Sequence, residues 1–122
     1  MLHSPKLGQL REEKIRKALV HGIVDTGASH LVLPGAVAAA LGLPERMRAP
    51  VQYADNRTAI RVFVEEVEVR LLGRSSVFEA IVEPDCPEPL VGAMVLEQLD
   101  LVVNCKTQQL EPRDPRGVLA YI

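Results

Sequence analysis

Apolar and polar residues alternate with a period of two over much of the chain, which is the pattern of β-strands with one buried face. Residues 14–24 predict a strand that ends at Asp25, because the second half of this stretch is rich in β-branched side chains. Residues 51–64 place strand-forming side chains on both sides of Asp55 and Asn56, two residues that tolerate left-handed backbone angles. This stretch therefore predicts a β-hairpin with a polar tip near Asn56.

A second predicted hairpin has one apolar face and one solvated face. Apolar and charged side chains alternate before a turn at residues 73–75, and a further apolar run covers residues 77–82. The alternating residues are Val67, Val69 and Leu71 against Glu66, Glu68 and Arg70. Because alternation sends neighbouring side chains to opposite faces, we expect Glu65, Glu66 and Glu68 to form a solvated strand edge and not a metal site.

Two short helices are predicted among the strands. Residues 34–44 begin with a proline, continue through an alanine-rich body and end in Gly-Leu-Pro, which predicts a helix of about two turns. Three prolines mark residues 84–89 as a loop. An apolar strand end, a glycine, a helix at residues 93–98 and a strand at residues 101–103 follow. We expect residues 1–122 to form a single domain.

Composition and charge narrow the possible partners. The formal net charge is −2, and no basic block is long enough to bind phosphates, so nucleic acid is not an expected partner. The N-terminal residues are charged and no apolar run is long enough to span a bilayer, so no membrane association is expected and the predicted location is cytoplasmic. Cys86 and Cys105 lack zinc-ligand spacing, so we expect free thiols, no metal and no cofactor.

One acidic residue interrupts an apolar stretch in a way that asks for an explanation. In the sequence IVDTGASHLVLP, residues 23–34, Asp25 is followed by Thr26 and Gly27 before apolar residues resume. Burying a lone carboxylate costs free energy unless a partner compensates for it. A turn aspartate that satisfies nearby backbone N–H groups is one explanation, and a catalytic carboxylate is the other.

The order of these motifs resembles that of the retroviral-type, or retropepsin-like, aspartic proteases, in particular their small relatives in bacteria and archaea. The sequence VDTGA is followed by a helix, then a hairpin with a polar tip, then PLVGAMVLEQLDLVV. The resemblance covers about residues 14–112. It implies an all-β fold, mostly an antiparallel closed barrel with one or two short helices, in which Leu90, Val91 and Gly92 run beside the loop of Asp25.

The resemblance also implies that the working unit is a homodimer and the substrate a peptide or protein. Aspartic protease chemistry needs two carboxylates that share one proton, one acting as base to a water and the other as acid to the carbonyl oxygen. The chain has one DTG triplet, so a twofold axis would bring Asp25 and its copy together. Partnership with the same residue of another chain would then explain why this carboxylate is tolerated.

Roles for the neighbouring residues follow from this resemblance. Thr26 would hydrogen-bond across to the partner's loop, and Gly27 would permit close approach of backbone and substrate. Ala28 would leave room beside the site, and Ser29 would bond the main chain of a bound peptide. The hairpin at residues 52–60 would form the flap that closes over the peptide. Its expected substrate contacts are Tyr53, Ala54 and Asp55, although Tyr53 fits a rim or core position equally well.

The chain departs from the viral pattern in two places. Viral members usually carry an ion pair that braces the dimer, and Ser29 and Ala93 stand at the two positions here. Viral flap tips are rich in glycine, whereas this tip has the sequence Asp-Asn-Arg at residues 55–57, so we expect different flap opening. Residues 1–13 and 113–122 lie outside the firm match, and the C-terminal tail would either join the dimer interface or pack on its own subunit.

Two functions compete at this point. The first is a homodimeric aspartic endopeptidase with Asp25 as its catalytic residue. The second is a peptide-binding or protein-binding module that keeps the fold and has lost efficient turnover, and likeness of fold alone does not separate the two. A phosphate-transferring enzyme is a distant third, because the chain has no glycine-rich phosphate loop.

Overall fold

The structure, a computed structural model, describes residue 20 and residues 22–120. These residues form eight strands and two short helices, so strand dominates, as expected for a retropepsin-like fold. In chain order the elements are β1 (Ile23–Val24), β2 (Leu31–Pro34), α1 (Gly35–Leu41), β3 (Glu45–Gln52), β4 (Thr58–Leu71), β5 (Arg74–Glu83), β6 (Leu90–Val91), α2 (Ala93–Leu99), β7 (Leu101–Asn104) and β8 (Gln109–Pro112).

Six of the strands form an open sheet in the order β1-β6-β2-β5-β4-β3, and β7 pairs with β8 in a separate sheet. The expectation of a closed barrel is therefore wrong for the part of the chain that the structure describes. A barrel needs its two edge strands to pair, and here β1 and β3 lie at opposite edges of the sheet. The pairing is also mixed, since β1–β6 and β2–β5 are parallel while β3–β4–β5 is antiparallel.

The hairpin with its tip near Asn56 is confirmed. β3 and β4 pair from Glu45 to Gln52, and the turn between them places Asn56 at a φ of 69°, in the left-handed region. The Tyr53 N–H donates to the Arg57 carbonyl at 2.8 Å, which closes the turn. The β4–β5 hairpin is confirmed as well, but its turn lies at Leu72 and Gly73, slightly before the predicted position.

The prediction of a solvated edge is wrong for Glu66, which is only 9% exposed. A β-bulge between Val64 and Val67 inserts an extra residue into β4, and Glu66 has a φ of 65° within it. The bulge shifts the alternation by one position, so that Val64 and Val67 both face the core although three positions separate them. A period-two pattern carried through the bulge therefore assigns Glu66 to the wrong face.

Both predicted helices are present, each with an end that the sequence explains. α1 follows Pro34 directly and ends at Gly42, whose φ of 60° is accessible to glycine at little cost. α2 extends one residue beyond the predicted end and terminates at Asp100, which is also left-handed, with a φ of 57°. The side chain of Arg113 bonds the Asp100 carboxylate, with Nε to Oδ1 at 2.5 Å, and so ties the chain after β8 to the end of α2.

The core is built mainly from aliphatic side chains on the two helices and the central strands. Its largest fully buried side chains are those of Leu31, Leu33, Val67 and Val95. β5 packs against both helices and β2 packs against α1, while Val64, Val67 and Val69 of β4 belong to the same cluster. This packing leaves the loop between β1 and β2 at the edge of the core, where Asp25 lies.

Several predictions concern the ends of the chain. Of the strand predicted at residues 14–24, only its final part falls among the described residues, where Ile23 and Val24 form β1. Residues 113–120 form no strand, and residues 1–13, 121 and 122 lie outside the described part. Neither described helix is long and apolar enough to cross a membrane.

Candidate active site

The loop that carries Asp25 begins where β1 ends and is held against β6. The Asp25 N–H donates to the Val91 carbonyl at 2.9 Å, which continues the parallel pairing of β1 with β6. The chain then turns sharply, because the Ala28 N–H donates to the Asp25 carbonyl at 3.1 Å. These backbone bonds fix the position of the half-buried Asp25 side chain relative to the sheet.

The Asp25 carboxylate makes a bond that the turn explanation predicts and the catalytic explanation allows. Its Oδ1 accepts the Gly27 N–H at 3.0 Å, as in an Asx turn. No hydrogen bond with another described residue engages Oδ2. One oxygen of the carboxylate thus holds the turn, and the other is left for a water, a substrate or a second carboxylate. A turn role and a catalytic role are therefore compatible in this geometry.

The start of α2 braces the Asp25 loop through two backbone hydrogen bonds. At the start of α2 the N–H groups of Ala93 and Met94 donate to the carbonyls of Ala28 and Ser29, at 2.8 and 3.0 Å. Gly92 permits this contact, because a Cβ built on it would lie 2.4 Å from the carbonyl oxygen of His30. The segment that the resemblance places beside the Asp25 loop, Leu90 to Gly92, is therefore bonded to that loop through Val91 and continues into two further bonds at the start of α2.

The Asp25 loop and the β3–β4 hairpin tip line one groove of about 550 Å³. Six of the residues predicted for the site are in its lining, namely Asp25, Gly27, Ala28, Ser29, Tyr53 and Ala54. The floor and the remaining wall are mostly aliphatic, with Val32, Val51, Ile81 and Leu90. The structure thus brings together two regions that are about thirty positions apart in the sequence.

Two predicted site residues do not line this groove. Thr26 is exposed and lines a separate groove of about 800 Å³, between β1, α2 and β7. Asp55 lies at the hairpin tip, where its carboxylate bonds Arg57, with Oδ1 3.1 Å from the backbone nitrogen and Oδ2 2.5 Å from Nε. The position of Asp55 within one chain therefore does not support its predicted contact with substrate, whereas the bond predicted for Thr26 is to a second chain and stays a prediction.

The groove lining also contains three polar residues that were not among the predicted site residues, namely Gln52, His30 and Glu83. The Ser29 Oγ and the His30 Nδ1 are 2.8 Å apart, and the His30 ring meets Phe63 edge-on at 6.4 Å. Two of them had a local signal in the sequence, since His30 lies five residues after Asp25 and Gln52 begins the predicted flap. The place of Glu83 in the groove could not be predicted from neighbouring residues, since its partners Tyr53 and Arg61 are far away in sequence.

Glu83 binds two side chains at once. The Tyr53 hydroxyl donates to its Oε2 at 2.7 Å, and the Arg61 Nε donates to its Oε1 at 2.6 Å. Burial raises the pKa of the Tyr53 phenol above its ordinary value, and the hydrogen bond to Glu83 raises it further. Tyr53 is therefore a protonated donor at neutral pH, fixed at the edge of the groove.

A family comparison covers the residues of the loop, the hairpin and the brace. Residues 12–98 match the model of the family described as "gag-polyprotein putative aspartyl protease". The match spans the Asp25 loop, the β3–β4 hairpin and nearly all of α2, and it covers more than half of the chain. The chain therefore belongs to this family of retropepsin-like aspartic proteases. Comparison with curated proteins returned no match.

Proposed function

We propose that the protein is an aspartic endopeptidase that acts as a homodimer, with Asp25 of each chain activating one shared water. The observation that carries the proposal is the position of Asp25, on a braced turn in the lining of a groove that the hairpin tip also lines. Membership of the aspartyl protease family supports hydrolysis of peptide bonds as the reaction.

The need for a second chain follows from the carboxylates of the groove. Proton-sharing chemistry requires two carboxylates in contact, one ionised and one protonated. The groove lining contains Asp25 and one other carboxylate, Glu83. Both oxygens of Glu83 already bind Arg61 and Tyr53, so Glu83 is not available as the second acid. A second Asp25 from a symmetric copy would supply it.

Features near Thr26 support such a dimer. The Thr26 groove of about 800 Å³ is lined largely by aliphatic side chains of α2 and β7. Beside it, Ile23 and Met94 are large apolar residues with about half of their surface exposed, 47% and 52%. Apolar surface of this kind is typical of a face that meets a partner. A twofold contact here would place Thr26 of the two chains near each other, as their proposed hydrogen bond requires.

The substrate we propose is an extended peptide. The aliphatic floor of the groove would receive apolar side chains, and β3 has one edge that pairs with no described strand. Val51 and Gln52, at the end of β3, line the groove, so an added strand could bond there through its backbone. Ser29 is exposed in the same groove and would accept or donate a further main-chain bond.

A peptide-binding module without turnover is the alternative, and the groove itself would serve it equally well. The choice between the two depends on the carboxylate of Asp25. Purified protein would be incubated with a peptide library and with denatured proteins between about pH 4 and 7, where a proton-sharing pair is active. Pepstatin, a transition-state analogue for this chemistry, would be added in parallel.

The variant Asp25→Asn keeps an oxygen for the Gly27 N–H and removes the charge, and Asp85→Asn makes the same change on an exposed loop outside the groove. We expect cleavage by the wild-type protein and by Asp85→Asn, inhibition by pepstatin, and a loss of at least about 1,000-fold in Asp25→Asn. Binding of peptides without cleavage in all three proteins would establish the module instead.

A further inference from the structure

Tyr53, Glu83 and Arg61 form a cluster that links the hairpin tip to the body of the sheet. Glu83 is the last residue of β5, Arg61 lies on β4, and Tyr53 follows the last residue of β3. The side chains of the Arg61–Glu83 ion pair are only 26% and 23% exposed. Hydrogen bonds to charged groups are stronger than neutral ones, and partial burial protects them from competition by water.

The other hydrogen bonds of the tip are local. Within residues 52–57, the Tyr53 N–H bonds the Arg57 carbonyl, the Asn56 N–H bonds the Tyr53 carbonyl, and the Gln52 side chain bonds Asn56. Among the described residues, the bond from Tyr53 to Glu83 is the one hydrogen bond that joins residues 53–57 to a part of the chain outside the β3–β4 hairpin. Without this bond, no hydrogen bond among the described residues would join the tip to the chain outside the hairpin.

The position of this bond connects it with the groove. Tyr53 and Glu83 line the groove that contains Asp25, and both also line a neighbouring cavity of about 430 Å³. Arg57 and Arg61 line that second cavity, with their guanidinium carbons 5.4 and 6.0 Å from the centre of the Tyr53 ring. The Tyr53–Glu83 bond therefore lies where the two cavities meet, at one end of the groove.

We propose that Glu83 is a positioning residue that binds the Tyr53 hydroxyl and so holds the hairpin tip against the end of the groove. Arg61 orients Glu83 by occupying its other oxygen. We call Tyr53, Glu83 and Arg61 the latch. By holding the tip in place, the latch would also hold a peptide bound in the groove. This second role rests on the proposed function, because it requires a peptide in the groove. The mechanical role of the latch, restraint of the tip, does not depend on catalysis.

Amide hydrogen exchange of the tip measures the restraint directly. The variant Tyr53→Phe removes only the hydroxyl, and Glu83→Gln keeps an acceptor oxygen while removing the charge that Arg61 binds. A matched control is Arg48→Gln, which breaks the exposed ion pair with Glu45 on the same hairpin. The β4–β5 turn, at Leu72 and Gly73, serves as an internal reference.

We expect amides of residues 53–57 to exchange about tenfold faster in Tyr53→Phe, because openings of the tip no longer break a charge-assisted hydrogen bond. Glu83→Gln should accelerate the same amides, and the double variant should exchange no faster than the faster single variant, since both substitutions remove one interaction. Arg48→Gln should leave the tip unchanged. The latch is overturned if the tip amides of Tyr53→Phe exchange at the wild-type rate. It is also overturned if the effects of Tyr53→Phe and Glu83→Gln on exchange add in the double variant.

The titration of Tyr53 gives a second reading that a general loss of stability would not produce. The chain has two tyrosines, and Tyr53→Phe identifies the phenol signal of Tyr53 in near-ultraviolet titration. Because the hydrogen bond to Glu83 helps to raise the pKa of Tyr53, Glu83→Gln should lower that pKa, while Arg48→Gln should not change it. An unchanged Tyr53 titration in Glu83→Gln would contradict the bond on which the latch depends.

Peptide kinetics test the holding role. With a peptide that the wild-type protein cleaves, Tyr53→Phe should raise KM about tenfold and change kcat by less than about threefold, because the latch would hold substrate and transition state alike. A fall in kcat at constant KM would overturn this role. If no variant and no wild-type protein cleaves any peptide while Tyr53→Phe still speeds exchange at the tip, the proposed function fails and the latch stands.

Discussion

Replacing Gly92 with alanine tests how the loop that carries Asp25 is held in place. The φ of Gly92 is −83°, which any residue adopts, so the effect would come from the added methyl group and not from backbone strain. That group would lie 2.4 Å from the carbonyl oxygen of His30 and 2.8 Å from that of Ala28. Both are backbone atoms, so the loop or the start of α2 must move to make room.

The cost can be estimated from what such a movement breaks. Overpacking at a closely packed site costs about 1–3 kcal/mol. The two hydrogen bonds from the start of α2 to the carbonyls of Ala28 and Ser29 are worth roughly 0.5–1.5 kcal/mol each. We therefore expect Gly92→Ala to lower the free energy of unfolding by about 2–6 kcal/mol, and to displace Asp25 from the groove.

Urea unfolding followed by circular dichroism, at one protein concentration for all variants, would measure this change. The matched control is Gly35→Ala in the first turn of α1, where the new methyl group would lie 3.4 Å from its nearest neighbour, an ordinary contact distance. We expect Gly35→Ala to stay within about 1 kcal/mol of the wild-type protein. The reasoning is refuted if Gly92→Ala is as stable as Gly35→Ala.

Three further predictions follow from the packing and the charges. Leu33 is 0% exposed and Ile60 is 61% exposed, so Leu33→Ala should cost about 2–5 kcal/mol in urea unfolding and Ile60→Ala less than about 1 kcal/mol; similar costs would contradict the assignment of the core. Arg74 donates to three backbone carbonyls at the end of α2 and in the C-terminal tail, so Arg74→Met should cost about 1.5–3 kcal/mol by the same method, and an unchanged midpoint would argue against those bonds. The pKa of Tyr53 is raised in the folded state, so the unfolded chain loses this proton first. The Tyr53 contribution to stability is therefore present below about pH 10 and is lost as the pH rises through the folded pKa. A Tyr53→Phe variant whose stability falls in alkali as steeply as that of the wild-type protein would contradict this.

Most of the secondary structure could be predicted because its signals are local. The alternating residues of β4 and β5, the polar tip at Asn56 and the stop at Gly42 are each encoded within a few neighbouring positions. Asp25 stood out for the same reason, as an acidic residue with a turn sequence between two apolar strands. The turn was therefore predictable before the fold was known.

The remaining features depend on contacts between distant parts of the chain. No local sequence signal indicates the bulge that buries Glu66, since the valines on either side of the extra position are ordinary strand formers. The order of strands in the open sheet depends on pairings such as β2 with β5, some fifty residues apart. Glu83 belongs to the groove only because β5 carries it to Tyr53, and the different positions of Thr26 and Asp55 follow from the direction of each turn.

The central claim, that two copies of Asp25 form one site, is tested most directly by mixing subunits. Wild-type protein would be equilibrated with a ninefold excess of Asp25→Asn, and peptide cleavage would be measured per wild-type chain. If the active unit is a symmetric dimer, only about one tenth of the wild-type chains keep a wild-type partner, so the rate per wild-type chain should fall to about one tenth. A rate per wild-type chain that does not change on mixing would show that one chain acts alone and would contradict the account.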